Sequence, residues 1–299
     1  MKHPILMPLR HIVKVHEVLD ITDAQRIFVA DCYIEGCESW QRAPWGWETC
    51  VNGRTIINVD HHAADPRFYR HISSGNLAIE YRNAHPPTDA ATAVVINHTD
   101  CDSVISSALL CGLLEPKPSY AAAVIAADHT GEPNPIADLL QSLDAARDYA
   151  CSLRNLARLE NGHSVEPQVQ DLLVDRQRER SLAADLVSTG AFQRIAKVAV
   201  ATLPREQRVS GEFLPPLLKD AWAIISGTPM LTNPELWETK IRLGLAAPAG
   251  SSLFALGILE AEPTFGGRWN AGSTKRAGGS TITPHEAARR LAELIERRA

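Results

Sequence analysis

No run of apolar residues in the 299-residue chain is long enough to span a bilayer, so a membrane helix is not expected. No secretory leader is expected either, because Met1-Lys2-His3-Pro4 opens a short apolar piece broken by Arg10 and His11. Six cysteines (Cys32, Cys37, Cys50, Cys101, Cys111 and Cys151) lack paired spacing. That argues for free thiols in a reducing, cytoplasmic compartment rather than a disulfide framework. The absence of any CxxC pair also disfavours a zinc site built from Cys32, Cys37, Cys50 and His61. There is no excess of basic residues: 30 Lys and Arg stand against 35 Asp and Glu, a formal net charge of −5. A long nucleic-acid partner is therefore not expected, although a local basic pocket is not excluded. Neither internal repeats nor low-complexity stretches occur. What remains is an ordinary globular composition, 45% hydrophobic and 22% charged, and a length that suits two domains.

The stretch with the most chemistry is Asn97-His98-Thr99-Asp100-Cys101-Asp102-Ser103. The apolar, β-rich segment 91–96 precedes it, and 103–111 follows with helical spacing. An acidic cluster where a buried parallel strand gives way to a helix sits where open α/β sheets place ligands. Alternation in an extended segment puts His98, Asp100 and Asp102 on one side. Three such groups suit a divalent ion such as Mn²⁺ or Mg²⁺. The plainer reading is a polar loop with one Asp capping the helix.

Other apolar segments end the same way. Strand 26–30 ends at Asp31, and strand 54–59 ends at Asp60-His61-His62, followed by a turn over 63–68. The run 119–127, ambiguous between helix and strand, ends at Asp128-His129. Buried strands need no carboxylates, and unpaired buried charge is costly, so an acid at each end suggests a shared cation. Adjacent imidazoles in an extended chain point apart, so one of His61 and His62 joins a metal and the other reaches a substrate oxyanion. The leading Asp60 can orient its neighbour. The segment 35–52 reads as a loop whose Trp40, Trp45 and Trp47 form a small satellite core or, as the alternative, an aromatic wall beside a ligand pocket.

Residues 1–20 read as an extended arm or edge strand. From Pro135 to about Leu186 the pattern is helical and charged, with 176–180 as a solvated face. Segments 196–201, 221–225, 241–245 and 253–258 read as a second, mostly antiparallel sheet, and a last helix starts at Pro284 with Thr283 as cap. The fold class expected is α/β: a parallel-sheet N-terminal domain with flanking helices (1–190), then a smaller α+β domain (191–299). Between the last strand and the last helix, 265–280 is rich in glycine and carries Arg268, Lys275 and Arg276. Backbone amides and cations together suit an anion. The spacing fits neither a P-loop nor a dinucleotide fingerprint, and a flexible surface loop is the alternative.

These residues resemble the DHH phosphoesterase superfamily. Asp60-His61-His62 after an Ile/Val strand looks like the naming motif, and His98-x-Asp100-x-Asp102-Ser103 looks like the first motif. Val29-Ala30-Asp31-Cys32 looks like the second and Ala126-Ala127-Asp128 like the fourth. The stretch 265–280 is similar to the Gly-rich loop of the DHH-associated C-terminal domain. One departure is plain: in the family HxDxD comes first, whereas here Asp31 and Asp60-His61-His62 precede it, which implies a permuted motif order.

The resemblance implies a phosphoesterase acting on a small phosphorylated molecule or nucleotide in an interdomain cleft. It implies two Mn²⁺ or Mg²⁺ ions about 3.5–4 Å apart. His98 and Asp100 would hold one ion, and Asp102, His61 and Asp128 the other. Asp31 would bridge them, Asp60 would belong to the same metal site, and Asp100 would also count among the catalytic residues. His62 and His129 would contact phosphoryl oxygens or protonate the leaving group. Arg268, Asn270, Lys275, Arg276, Gly278 and Gly279 would bind substrate. Self-association into a homodimer is left open. Two other functions fit the residues. One is a different metal-dependent hydrolase, cleaving an amide or phosphoramidate on the same scaffold. The other is a catalytically silent ligand-binding protein.

Overall fold

The computed structural model describes residues 3–10, 12–63, 65–69, 71–89 and 91–298; Met1, Lys2 and His11, named above, and position 64 of the turn expected over 63–68 lie outside them. The chain is α/β and divides into two compact units: Met1–His129 with Pro133–Arg176, and Thr130–Glu132 with Gln177–Ala299. The division falls inside the long helix Pro167–Ser188, upstream of residue 190. Among the described residues no helix is long and apolar enough to cross a membrane.

The first unit is built on a six-stranded sheet. Its strands are β1 (Ile5–Leu6), β2 (Arg26–Ala30), β3 (Gln41–Ala43), β4 (Gly46–Val51), β5 (Arg54–Val59) and β6 (Thr92–Ile96). They run in the order β1-β6-β2-β5-β4-β3. The first four in that order are mutually parallel, and β4 and β3 add an antiparallel edge. All of β6 and four of the five residues of β2 are buried. That is why both read as continuous apolar runs rather than as alternation. Helices α1 (Val15–Asp20), α2 (Ser74–Ala84), α3 (Cys101–Leu110), α4 (Pro118–Ile125), α5 (Pro135–Leu143) and α6 (Tyr149–Glu160) complete the unit.

Two local expectations change, and one left open is decided. The arm 1–20 contributes only the two-residue β1 and then the short helix α1. The tryptophan segment is a β3–β4 hairpin, and its indoles pack. Trp47 is buried edge-on to Phe68 under the Arg67 guanidinium, and Trp45 lies edge-on to Tyr81 and His85. The run 119–127 is helical: α4 continues into a π-turn over Ala126–Thr130 that carries Asp128 and His129. Pro118 suits the first turn, and the alanines that follow favour helix over strand.

The second unit has its own six-stranded sheet. After α7 (Pro167–Ser188) come β7 (Gln193–Ile195), β8 (Val198–Thr202), β9 (Ala223–Pro229) and β10 (Trp237–Leu243). Next are α8 (Leu253–Leu256), α9 (Ile258–Ala261), β11 (Gly266–Gly267), β12 (Ala271–Ser273) and α10 (Pro284–Arg298). The order is β11-β12-β10-β9-β8-β7, antiparallel except for the β8–β9 pair. Its core joins Val198, Val200, Ile225 and Ile241 to Leu291 and Ile295 of α10. Thr283 caps α10, accepting the Glu286 amide at 3.2 Å. The strand expected over 253–258 is instead two helical turns. Ser252 caps the first, its Oγ accepting the Ala255 amide at 3.0 Å, and Gly257 ends it at φ +97°, a conformation that suits glycine.

Candidate metal centre

Strands β6, β2 and β5 are parallel neighbours, so their C-terminal ends lie side by side. Each end delivers polar residues: His98 and Asp100 after β6, Asp31 after β2, and Asp60-His61-His62 after β5. Asp31, His98 and Asp100 form one group of potential ligand atoms, and His61, Asp128 and His129 form another. Asp31, Asp60, His61 and His62 form a third, with the ligand atoms within 4.8 Å of one another in each group. Asp31 and His61 each belong to two groups.

Asp31 sits at the middle. It leaves β2 in the left-handed region, φ +54°, which costs most residues energy but which Asp tolerates. Its amide still bonds the Val59 carbonyl at 3.0 Å. One carboxylate oxygen, Oδ2, lies 3.0 Å from His98 Nε2 and accepts the Ser103 hydroxyl at 2.8 Å. The other accepts the Ser74 hydroxyl at 3.0 Å and lies 3.7 Å from His62 Nδ1.

The imidazoles are oriented by their second nitrogens. Asn97 donates its amide N–H to the Arg10 carbonyl, so its Oδ1 is left to accept from His98 Nδ1 at 2.5 Å. Nε2 of His98 then faces Asp31 at 3.0 Å and Asp100 at 3.4 Å. His61 places Nδ1 3.1 Å from Ser74 Oγ and Nε2 2.6 Å from Asp128 Oδ2. His62 pairs Nδ1 with Asp60 Oδ1 at 2.5 Å and donates its own backbone amide to Asp60 Oδ2 at 2.9 Å. Both Asp60 oxygens are thus turned to His62. His129 gives Nε2–H to the Ile72 carbonyl at 2.7 Å and lies 3.4 Å from Asp128.

Asp102 departs from the extended-chain expectation. Helix α3 begins at Cys101 with Asp100 as its cap, Oδ1 accepting the Ser103 amide at 3.0 Å. So Asp100 caps the helix and meets His98 with its other oxygen. The first helical turn carries Asp102 to the start of α2. There it accepts the Ser74 amide at 2.9 Å and the Gly75 amide at 2.6 Å. Its Oδ2 remains 3.6 Å from His61 Nδ1.

The donor set fits a hard divalent cation. It consists of carboxylate oxygens and imidazole nitrogens, and among the described residues no group of three potential ligands includes a cysteine. The zinc alternative therefore does not assemble. Burial pushes the Cys32 thiol up to about 11, which keeps it protonated at neutral pH although His98 adjoins it. Burial, then the charges of Asp31, Asp128 and Asp100, push the Asp102 carboxyl well above its ordinary value. Burial opposes charge on His98 too, but Asp100 and Asp31 hold its pKa well above the usual value. Burial likewise opposes ionisation of Asp60 and Asp100, yet His62 and His98 respectively hold these carboxyls below the usual range. A dense set of buried carboxylates is what a cation relieves.

In the second unit the Gly-rich stretch is folded rather than a loose loop: β11 and β12 pair, and Trp269 and Asn270 are buried. Arg268 is half-buried, and Lys275 and Arg276 are exposed. Gly278 and Gly279 both adopt positive φ, +84° and +101°. Partial desolvation of its guanidinium, then the Arg268 charge nearby, lowers the Arg276 pKa.

Sequence reasoning missed Ser74 and gave no role to Ser103 or Asn97, which with it contact Asp31, His61 and His98. Their one visible signal is position, at helix starts or beside a candidate ligand.

No family model matches the chain, and no curated protein matches it. Among the solved structures that match is a pGpG-specific phosphodiesterase, PggH, from Vibrio cholerae, at 12% identity over 71% of this chain and 82% of that one. The TM-score is 0.45, at which the likeness carries no argument, so the site stands on its own geometry.

Proposed function

We propose that the protein is a divalent-metal-dependent phosphoesterase of the DHH type, hydrolysing a small phosphorylated molecule or nucleotide. The observation that supports this is the convergence of Asp31, His61, His98, Asp100 and Asp128 in one largely buried cluster at three parallel strand ends and one helix end. In this reading His98 and Asp100 hold one Mn²⁺ or Mg²⁺, His61 and Asp128 hold a second, and Asp31 serves both. Such ions, when bound, polarise phosphoryl oxygens and make water nucleophilic at neutral pH. Asp60 and Asp102 support: the first sets His62, the second seats α2. His62, gripped by Asp60, is the group assigned to a phosphoryl oxygen or the leaving oxygen. His129 is oriented by the Ile72 carbonyl and adjoins Asp128. The segment with Arg268, Asn270, Lys275, Arg276, Gly278 and Gly279 is assigned to a substrate phosphate.

The test adds Mn²⁺ to chelator-treated protein with bis-p-nitrophenyl phosphate, p-nitrophenyl phosphate and small nucleotides. Hydrolysis is expected only with metal. Asp31→Asn, which tolerates the left-handed backbone, and Asp100→Ala are expected to abolish turnover with an unchanged circular dichroism spectrum. No hydrolysis with any divalent ion overturns the proposal.

A further inference from the structure

We propose that Asn58 is a positioning residue: its side-chain amide braces the turn that aims Asp31 into the candidate metal centre. The inference rests on the metal-centre reading for its purpose, but not for its geometry.

Asn58 lies in β5 and is fully buried, as are its strand neighbours Ile56, Ile57 and Val59. Packing alone does not call for an amide in such a run, and burying one costs free energy unless both its ends are hydrogen-bonded. Only one end is. Nδ2 donates to the Val29 carbonyl at 3.2 Å and to the Cys32 carbonyl at 2.9 Å, whereas Oδ1 has no hydrogen-bond partner among the described residues. The reverse orientation would set Oδ1 against two carbonyl oxygens, so the network fixes which end donates. Val29 is the register partner of Asn58 in the β2–β5 pair. The two carbonyls bracket Ala30 and Asp31, so one amide group ties the end of β2 to the far side of the turn. The next residue of β5 adds a third tie, the Val59 carbonyl accepting the Asp31 amide at 3.0 Å. Between these ties Asp31 takes φ +54°, a conformation that persists where the surroundings impose it. That backbone sets the direction of the carboxylate, whose Oδ2 lies 3.0 Å from His98 Nε2 and whose Oδ1 lies 3.7 Å from His62 Nδ1. Strand β5 thus ends in Asp60-His61-His62 and, just before them, carries the brace for Asp31, the residue common to two of the ligand groups. The spacing between those groups is set within one strand pair.

The test reads the turn directly, from crystal structures of the metal-free full-length protein, and Mn²⁺ affinity separately, by calorimetry. Asn58→Leu keeps a branched side chain of the same heavy-atom count but donates nothing. It is expected to keep the circular dichroism spectrum, to move residue 31 out of the left-handed region, and to weaken Mn²⁺ binding ten- to hundredfold. Asn58→Val, which suits a central strand and is less bulky, is expected to do the same and serves if the leucine variant fails to fold. Ile57→Val, at an equally buried neighbour, is expected to lower Tm while Mn²⁺ affinity stays at the wild-type value. A folded Asn58 variant that keeps residue 31 left-handed or binds Mn²⁺ as tightly as wild type overturns the proposal. So does an equal loss of affinity in Ile57→Val, which would make the effect one of strand stability. Wild type that binds no Mn²⁺ sinks the functional reading instead, and the conformation of residue 31 in the variants still decides whether Asn58 braces the turn.

Discussion

Replacing Gly75 by alanine adds one methyl where the structure leaves no room. A Cβ at Gly75 lies 2.7 Å from Val124 Cγ1, 3.3 Å from Val124 Cβ and 2.9 Å from Asp102 Oδ1. Unstrained carbon contacts sit at about 3.5–4.0 Å, so the overlap approaches 1 Å. Val124 is fully buried in α4 and has little freedom to turn. Overpacking of this kind costs about 1–3 kcal/mol, while alanine returns about 0.5–1 kcal/mol of helix propensity. The net loss lies between about 0 and 2.5 kcal/mol, or up to about 10 °C in Tm for a unit of this size. The site should suffer more than the fold, because the cheapest relief moves Asp102 away from the Ser74 and Gly75 amides and loosens α2. Mn²⁺ affinity and turnover should fall together. Val124→Ala alone removes two buried methyls, about 1.6 kcal/mol. In the double variant the clash with Val124 Cγ1 is gone while the 2.9 Å approach to Asp102 Oδ1 remains, so Mn²⁺ affinity should return in part and the two Tm losses should fall short of additive. Strict additivity, or a Gly75→Ala protein with wild-type Tm and Mn²⁺ affinity, refutes the reasoning.

Mn²⁺ at a hundredfold excess over its Kd should stabilise the protein by about 2.7 kcal/mol. That is a rise of about 5–10 °C in the melting of the first unit. Asp31→Asn should abolish the rise, and a wild-type Tm indifferent to Mn²⁺ contradicts the site. Asp60→Asn should lower kcat about tenfold or more while Mn²⁺ affinity holds, because Asp60 grips His62 through both oxygens; calorimetry showing lost metal would instead make Asp60 a ligand. Arg276→Ala should raise KM with little change in kcat, as expected for uniform substrate binding, and an equal fall in kcat and kcat/KM argues against that role.

What the sequence reveals here follows from what periodicity and termini can encode. Strands β2, β5 and β6 are legible because strands buried on both faces leave unbroken apolar runs, and each run stops at a polar residue. The alanine-rich run at 119–127 carries no period, so neither strand nor helix could be read from it, and Asp128 joins the site from a π-turn instead of a strand end. The segment 253–258 misleads for the opposite reason. Its Leu, Phe and Ile mimic a strand, while the deciding residues are small: a capping Ser252 and a left-handed Gly257. Within the site, ligand-type residues stand out by chemistry. Ser74 and Ser103 do not, because hydroxyls at helix starts usually cap, and Asn97 reads as an ordinary polar residue after a strand. Only the packing of α2 and α3 beside Asp31 gives the two serines a second task.

The chain order of these residues does not decide which of them meet. In a parallel sheet every strand presents its C-terminal end on the same side, so the ends that meet are fixed by spatial adjacency and not by sequence order. Here β2 lies between β6 and β5. Asp31 is therefore flanked by His98 and Asp100 on one side and by Asp60-His61-His62 on the other, although it comes first of them in the chain. A shared ligand belongs on the middle strand, and the residue there is the one whose backbone takes the left-handed turn. Shifting the chain's starting point changes which crossover is cut; it leaves these three neighbours, and hence the cluster, in place.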